Sequence, residues 1–479
     1  MSKITSPLQR LAYQNGHQPA LVNHREAISF LNYVQRVLSV IDKLKNNGIQ
    51  KSDRVAIVSD NSIEYIILLV ALWHYGAVAC PINPRFPEKA IVAMLESINC
   101  AYVITDVSFS ISSDKYQLLP LDSLVVENEN ALSPINLPKL DLDNDATIIF
   151  SSGSSAAPKA VLHTLANHYY SALGSNENIT IKPEDRWLLS LPLYHVGGLG
   201  IIMRTLLSGA IVVVPQQKES INSSIDKYRI SHLSLVATQL QRWLKEGTDF
   251  SKIDHLKAIL LGGGPLPEKL IEKAYNLHLP IYASYGSTEM TSQIATTTGG
   301  DSLEKLLTSG SALNYREVKI SSEGEILVRG KTLFKGYVSD SGLKKPFNTE
   351  GWFATGDLGK VDSDGYLTVM GRKDNMFISG GENIQPEEIE KVLMMSEQVE
   401  NALVVSIDDP EFGQRPVAFI KLKDDVSLDV SVLSDFLKSY LPKFKIPVRY
   451  YSWPAHIETE NFKLKRQSFK SLAKKLDLV

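Results

Sequence analysis

Cysteine is almost missing from this sequence. The 479 residues hold two, Cys80 and Cys100, both in apolar surroundings, without CxxC spacing and without a histidine cluster nearby. A disulfide scaffold and a thiolate zinc site are thereby disfavoured, and buried free thiols in a reducing compartment are expected. Long apolar runs are missing as well. The longest, Ile66 to Trp73, is far short of the ~20 residues a membrane-spanning helix needs. The opening MSKITSPLQRLAYQNG lacks the apolar centre of a secretion signal, so a cytoplasmic protein is expected. Neither sign of charge dominates: 50 basic against 53 acidic residues leave a net charge of −3. There is no global basic excess to hold nucleic acid or an anionic membrane surface. Repeats and low-complexity segments are absent, and so is the P-loop pattern Gly-x-x-x-x-Gly-Lys-Ser/Thr.

What is present is ordinary in bulk: 44% apolar and 22% charged residues suit a globular protein. The length implies more than one domain, and a homo-oligomer is compatible with it. The first half alternates helical and strand patterns. Residues 62–75 read as a buried helix closed by Gly76, followed by a strand, AVACPIN. Residues 87–98 read as an amphipathic helix and AYVITD as the next strand, and LSLVAT, AILLGGG and IYASYGSTE continue the series. Such alternation predicts a mostly parallel, layered α/β architecture. From about residue 310 the texture changes to strand–turn–strand patterns with Glu-Gly and Asp-Gly turns, which predicts an antiparallel, barrel-like segment. A small α+β domain follows, joined near residues 372–375, with Pro386 at a helix start ahead of Glu387 and Glu388.

The chemistry-bearing segments begin with residues 151–160, SSGSSAAPKA, which follow the apolar Thr147–Phe150. Ser151, Ser152, Gly153, Ser154 and Ser155 offer hydroxyls and backbone N–H groups, and Lys159 an ammonium, to a polyphosphate. A plain surface connection has the same composition. Further segments are Leu191–Gly198 around His195, Tyr285-Gly286-Ser287-Thr288-Glu289, Thr355-Gly356-Asp357, Gly371–Asp374 with Ser379–Ile384, and Lys463. Singly, each reads as well as a turn, a packed histidine or a solvated basic face.

In this order and spacing the segments resemble the adenylate-forming superfamily of acyl- and aryl-CoA synthetases, peptide-synthetase adenylation domains and luciferases. The resemblance runs from about residue 20 to 470. LLSLPLYHVGGLGI, SLVATQLQRWL, AILLGGGPLP, FISGGENIQPEEIE and the tail NFKLKRQSFK look most like the o-succinylbenzoate–CoA ligases of menaquinone biosynthesis. The resemblance implies an adenylation domain at 1–373, whose barrel-like segment spans about 310–373, and a mobile lid domain at 374–479 hinged at Asp374. It implies ATP, Mg²⁺ and CoA as reactants or cofactors. 2-Succinylbenzoate would be activated as an acyl-adenylate and passed to CoA, with release of pyrophosphate and AMP. An aryl- or medium-chain acyl-CoA ligase and a non-catalytic nucleotide-binding homologue are the alternatives.

By the same resemblance, Ser151–Ser155 and Lys159 hold the β- and γ-phosphates, Glu289 holds Mg²⁺ and Thr288 the α-phosphate. Gly262, Gly263, Gly264, Tyr285 and Gly286 receive the adenine side, and Asp357 and Arg372 the ribose. Lys463 bridges carboxylate and α-phosphate. His195, Gly197, Gly198, Leu199, Thr238, Ser284 and Gly286 line the acyl pocket, with Arg204 or Arg242 for a second carboxylate, and His195 joins Lys463, Thr288 and Glu289 as a catalytic residue. Gly380 and Gly381 approach the CoA thiol arm. The chain departs from the family at Ser155, Ala156 and Ala160, where Thr, Gly and Gly are usual, and at Phe462, where Gly is usual.

Overall fold

The computed structural model describes residues 3–106, 115–125, 136–151, 158–246, 250, 253–339, 342–380, 382–423, 429–454 and 466–477. Two large sheets form the body. The first has eight strands, and its centre is parallel: Asp145–Ser151, Val78–Ile82, Arg54–Val58, Tyr102–Thr105 and Gln117–Pro120. The second has nine, with a parallel run from Ile281–Ser287 through Ala258–Leu261, His232–Leu235, Arg186–Leu188 and Ile211–Val213 to Pro19–Val22.

Helix Ile63–Tyr75 belongs to the large apolar core that also includes helix Phe30–Asn46. Ser62 caps its start by accepting from the Tyr65 amide, and Gly76 closes it in the left-handed region at φ 90°. A helix apolar on every side has to be buried on every side, and eleven of its thirteen residues are.

The expectation of mostly parallel sheets holds only for the sheet centres. Both sheets have antiparallel edges, and the site lies along them. Strand Lys159–Thr164 runs antiparallel to Asp145–Ser151, with Lys159 opposite Ser151. The serine-rich loop therefore joins two adjacent antiparallel strands instead of opening a helix. The barrel-like segment is also divided. Arg316–Ile320, Glu325–Gly330, Phe353–Val361 and Leu367–Arg372 form a four-stranded antiparallel sheet. Strands Gly336–Ser339 and Gly342–Lys344, from the middle of that segment, extend the first large sheet beside Lys159–Thr164. Periodicity and turn residues give strands here but not their partners, which are set by packing between distant segments.

In the small domain, helix Pro386–Met395 packs on the hairpin Val399–Asp409/Gly413–Leu422, with Arg449–Ser452 parallel to the second strand. Arg466 opens the last described helix. The basic run around it reads as solvated in the sequence, yet its side chain is only 21% exposed. It pairs with Glu390, with Glu387 at 3.2 Å and with the Val404 carbonyl. Burial raises the Glu390 pKa, and the Arg466 charge opposes that rise. Arg466→Leu leaves both carboxylates without their cation. It should cost about 3 kcal/mol, at the low end for a buried pair stripped of one partner. Denaturant melts of the full chain check this, and an unchanged transition would refute it.

Candidate active site

Segments far apart in sequence meet at the edges of the three sheets. Tyr285 lies in strand Ile281–Ser287 of the nine-stranded sheet, and its hydroxyl donates to Asp357 Oδ2 at 2.5 Å. Asp357 stands directly opposite Arg372 in the four-stranded sheet. Arg372 Nη1 reaches Asp357 Oδ1 at 3.0 Å and the Thr355 carbonyl at 2.9 Å, and Nη2 reaches Asp374 at 3.2 Å. Burial, then the Asp357 charge, pushes the Tyr285 phenol well above its usual range, so it stays a donor. Gly356 has φ 73°, and a Cβ there would meet the Arg372 guanidinium at 2.8 Å, so this turn requires glycine.

A second cluster forms at the start of strand Lys159–Thr164. Lys159 Nζ lies 5.2 Å from the Tyr337 ring centre. The Tyr337 hydroxyl donates to Glu289 Oε1 at 2.9 Å. Burial and the Glu289 carboxylate both raise the Tyr337 pKa. Tyr337 thus brings the loop's lysine and the Glu289 carboxylate into one neighbourhood. Among the described residues, no group of three His, Cys, Asp or Glu could hold an ion by protein ligands alone. An ion at Glu289 would need phosphate and water oxygens, which suits Mg²⁺ with its one or two carboxylates. Ser151 is partly buried at the strand end. Ser152, Gly153, Ser154, Ser155 and Ala156 lie outside the described residues. Ala160 needs no glycine conformation: it sits in a strand, paired with Phe150 and Val338.

The acyl-side residues divide into three groups. His195 caps helix Val196–Ser208 and meets the Tyr194 ring edge-on at 4.8 Å. With Phe86, Phe150 and Pro158 it borders a cleft. Asn61 holds the segment before it, donating to the Leu191 carbonyl and accepting from the Leu193 amide, both at 2.9 Å. A Cβ on Gly198 would come within 2.2 Å of the Pro192 carbonyl oxygen, and one on Gly197 within 2.9 Å of Leu191. Leu199 is fully buried in the main core, away from any surface. Ser284 donates to the Leu261 carbonyl at 2.9 Å, and a Cβ on Gly262 would meet its hydroxyl at 2.7 Å. Gly263 takes φ 85° beside Val236, and Gly264 has open space around it. Gly286 lies against the backbone of Ser292. Thr238 and Arg242 are both exposed, one turn apart on helix Ala237–Lys245.

Arg204 differs sharply from Arg242. It is 1% exposed, and burial lowers its pKa to about 10. Its Nη2 donates to Gln293 Oε1 at 2.7 Å, its guanidinium lies 5.3 Å from the Trp187 ring centre, and its Nε has no partner among the described residues. The guanidinium folds back over Gly200, toward the His195 end of the helix. Gln293 stands opposite Gly286 in the sheet. Its backbone carbonyl accepts from a second buried arginine, Arg316, at 2.5 Å. Neither arginine forms an ion pair with a carboxylate among the described residues.

At the junction, Gln385 donates to the Arg372 carbonyl at 3.1 Å and Asn375 to Glu387 at 2.5 Å. A Cβ on Gly371 would strike both Gln385 and Glu387. Gly380 donates to the Phe412 carbonyl at 2.9 Å, with φ 57°. Gly381 and Lys463 lie outside the described residues. Tyr337, Gln293 and Asn61 carry no motif and nothing in local sequence marks them, while Gln385 lies within FISGGENIQPEEIE without standing out there. Their roles come from contacts across 48 to 130 residues in the case of Tyr337 and Asn61.

Residues 8–338 match the AMP-binding enzyme family, and residues 388–463 match the AMP-binding enzyme C-terminal domain. The 2-succinylbenzoate–CoA ligase of Geobacillus sp. (strain WCH70) is 32% identical over 98% of this chain and 98% of its own length. The o-succinylbenzoate CoA synthetase of Bacillus subtilis in complex with the acyl-adenylate intermediate OSB-AMP has a TM-score of 0.88 at 31% identity. That match covers 98% of this chain and 99% of the other. The same enzyme in complex with ATP and magnesium ion gives 0.87 at 31% identity, over 98% of this chain and all (100%) of that one. The fold is that of an adenylate-forming enzyme. The chain belongs to the AMP-binding enzyme family, and within it is an AMP-forming acyl-CoA ligase.

Removing the phenol that bonds Asp357 isolates one prediction. Tyr285→Phe should weaken AMP binding about tenfold, the worth of one hydrogen bond to a charged group. Calorimetric titration with AMP reads it, and an unchanged affinity would detach Tyr285 from the nucleotide.

Proposed function

We propose that this ligase activates 2-succinylbenzoate. The observation that supports this most directly is Arg204, a buried guanidinium with an unpartnered Nε and no carboxylate beside it among the described residues. A buried charge without a counter-ion is costly. A dicarboxylic substrate resolves the cost: one carboxylate is activated and the other meets Arg204. Arg316, on the other side of Gln293, adds a second positive charge to the same neighbourhood, and its own pKa is lowered to about 9 by burial and by Arg204. The relatives named as 2-succinylbenzoate–CoA ligases favour the same substrate.

The chemistry follows from charge. An anionic carboxylate attacks an anionic α-phosphate, so the protein's contribution is positioning and neutralisation. Lys159 and the serine loop would hold the terminal phosphates, and Asp357 would accept from the ribose hydroxyls, oriented by Tyr285 and Arg372. Glu289, oriented by Tyr337, would hold Mg²⁺, which spreads positive charge over the phosphate oxygens. Thr288 and Lys463 would serve the α-phosphate. The lid would then turn at Asp374, withdraw Lys463 and present Gly380-Gly381 to the thiol arm of CoA.

Pyrophosphate release with ATP, Mg²⁺ and a panel of acids tests the substrate. 2-Succinylbenzoate should react at least about a hundredfold better than 2-butyrylbenzoate or 3-benzoylpropionate, each of which lacks one carboxylate. Arg204→Leu should erase that preference. A preference for simple benzoic or medium-chain acids would favour the wider aryl- or acyl-CoA ligase reading. No release with any acid would favour a binding module. Lys463→Ala should abolish adenylate formation while thioester formation from supplied acyl-adenylate persists. Equal loss of both half-reactions would sink the two-position role of Lys463.

A further inference from the structure

A buried relay of side chains lies behind the Lys159–Glu289 cluster and has no task in the chemistry above. His163 follows Lys159 by four residues on the same strand, directly opposite Thr147, and both are 0% exposed. His163 Nε2 is 2.7 Å from the Thr288 carbonyl oxygen. Its Nδ1 is 3.2 Å from Thr147 Oγ1, which is 2.8 Å from His168 Nε2. The directions of these bonds can be worked out. A carbonyl only accepts, so His163 Nε2 carries the proton. Burial lowers the His163 pKa to about 4, so the ring is neutral and Nδ1 holds a lone pair. The Thr147 hydroxyl then donates to Nδ1 and accepts from His168 Nε2–H. The relay runs His168 to Thr147 to His163 to the Thr288 carbonyl, each proton assigned.

The far end of this relay is an unusual turn. After the single turn Thr288–Met290, Thr291 takes φ 55° and Ser292 φ 107°. Successive positive φ angles at non-glycine residues persist only where the surroundings over-determine them. Four hydrogen bonds do so here. Phe334 donates to the Glu289 carbonyl at 2.8 Å. Ser171 donates to the Thr291 carbonyl at 2.7 Å, and the Thr291 hydroxyl to the Thr332 carbonyl at 2.8 Å. The fourth is His163 to Thr288. Of these four, only His163 belongs to the strand that leaves the serine-rich loop.

We propose that His163 is a positioning residue for adenylation. It ties the Thr288–Glu289 turn of one large sheet to the Lys159 strand of the other, and so fixes the separation of Glu289 and Lys159. The proposal rests on the family's adenylating activity and is independent of which acid is activated.

The test uses the full-length enzyme and whichever acid the unaltered protein adenylates, so a wrong acid is recognised before any variant is made. His163→Leu should raise the KM for MgATP in ATP–pyrophosphate exchange about tenfold or more, as expected when a buried carbonyl loses its donor. The KM for CoA and the rate of thioester formation from supplied acyl-adenylate should stay within about twofold of the unaltered enzyme, since Lys159 and Glu289 serve only the first half-reaction. His163→Gln, whose amide can still donate to Thr288, should recover most of the loss. If H163L fails to fold, H163N gives the same comparison with H163Q, because its shorter amide falls short of the carbonyl. Unchanged MgATP kinetics, an equal loss in both half-reactions, or no recovery in H163Q would each overturn the proposal.

Discussion

The hydrogen bond from Tyr285 to Asp357 is the contact on which the site's geometry turns. Tyr285 belongs to the nine-stranded sheet, while Asp357 and its partner Arg372 belong to the four-stranded sheet. A phenol donating to a carboxylate away from water is charge-assisted and roughly twice as strong as a neutral bond. Because Arg372 also reaches Asp374, the same contact is felt at the crossing into the small domain. Gln385 and Glu387 then hold that crossing from the far side. Tyr285, Asp357, Arg372 and Asp374 form one bonded series, so a shift in any member displaces its neighbours.

The surroundings of helix Val196–Ser208 are organised around a different constraint. Two buried arginines share one glutamine, Gln293, which sits opposite Gly286 in the strand pair that leads to Thr288 and Glu289. Arg204 therefore takes its orientation from the element that carries the Thr288–Met290 turn. The glycines here act through what they permit. Gly200 leaves room for the guanidinium, Gly198 for the Pro192 carbonyl, and Gly262 for the Ser284 hydroxyl.

Much of this could be read from the sequence, and the failures share a cause. Helix Ile63–Tyr75, its Gly76 cap and the hairpins with Glu-Gly and Asp-Gly turns are local features, and local patterns found them. The motif residues Tyr285, Asp357, Arg372 and Glu289 were legible as a set because their order and spacing are distinctive. Strand partners were not legible. Nothing near Gly336–Ser339 says that it leaves its own segment to join the first large sheet. For the same reason Tyr337 gave no sign of touching Glu289, and Arg466 looked like one more charge in a solvated run until its two carboxylates appeared beside it. The choice between Arg204 and Arg242 was also closed to sequence, since both lie on amphipathic or apolar helices and only packing separates a buried guanidinium from an exposed one.

The insertion of Gly336–Ser339 also bears on how the protein is made. Strand Lys159–Thr164 is paired on one side by Asp145–Ser151, its neighbour in the chain, and on the other by residues synthesised about 170 positions later. At ~5–20 residues per second a ribosome takes roughly ten to thirty seconds to supply that second neighbour. Until then the nascent chain carries an open apolar edge at Ala160–Leu162, the kind of edge that recruits strands from other molecules. The pairing of this strand is therefore completed late, and the interval before it closes is when the growing chain most needs to be kept from its copies.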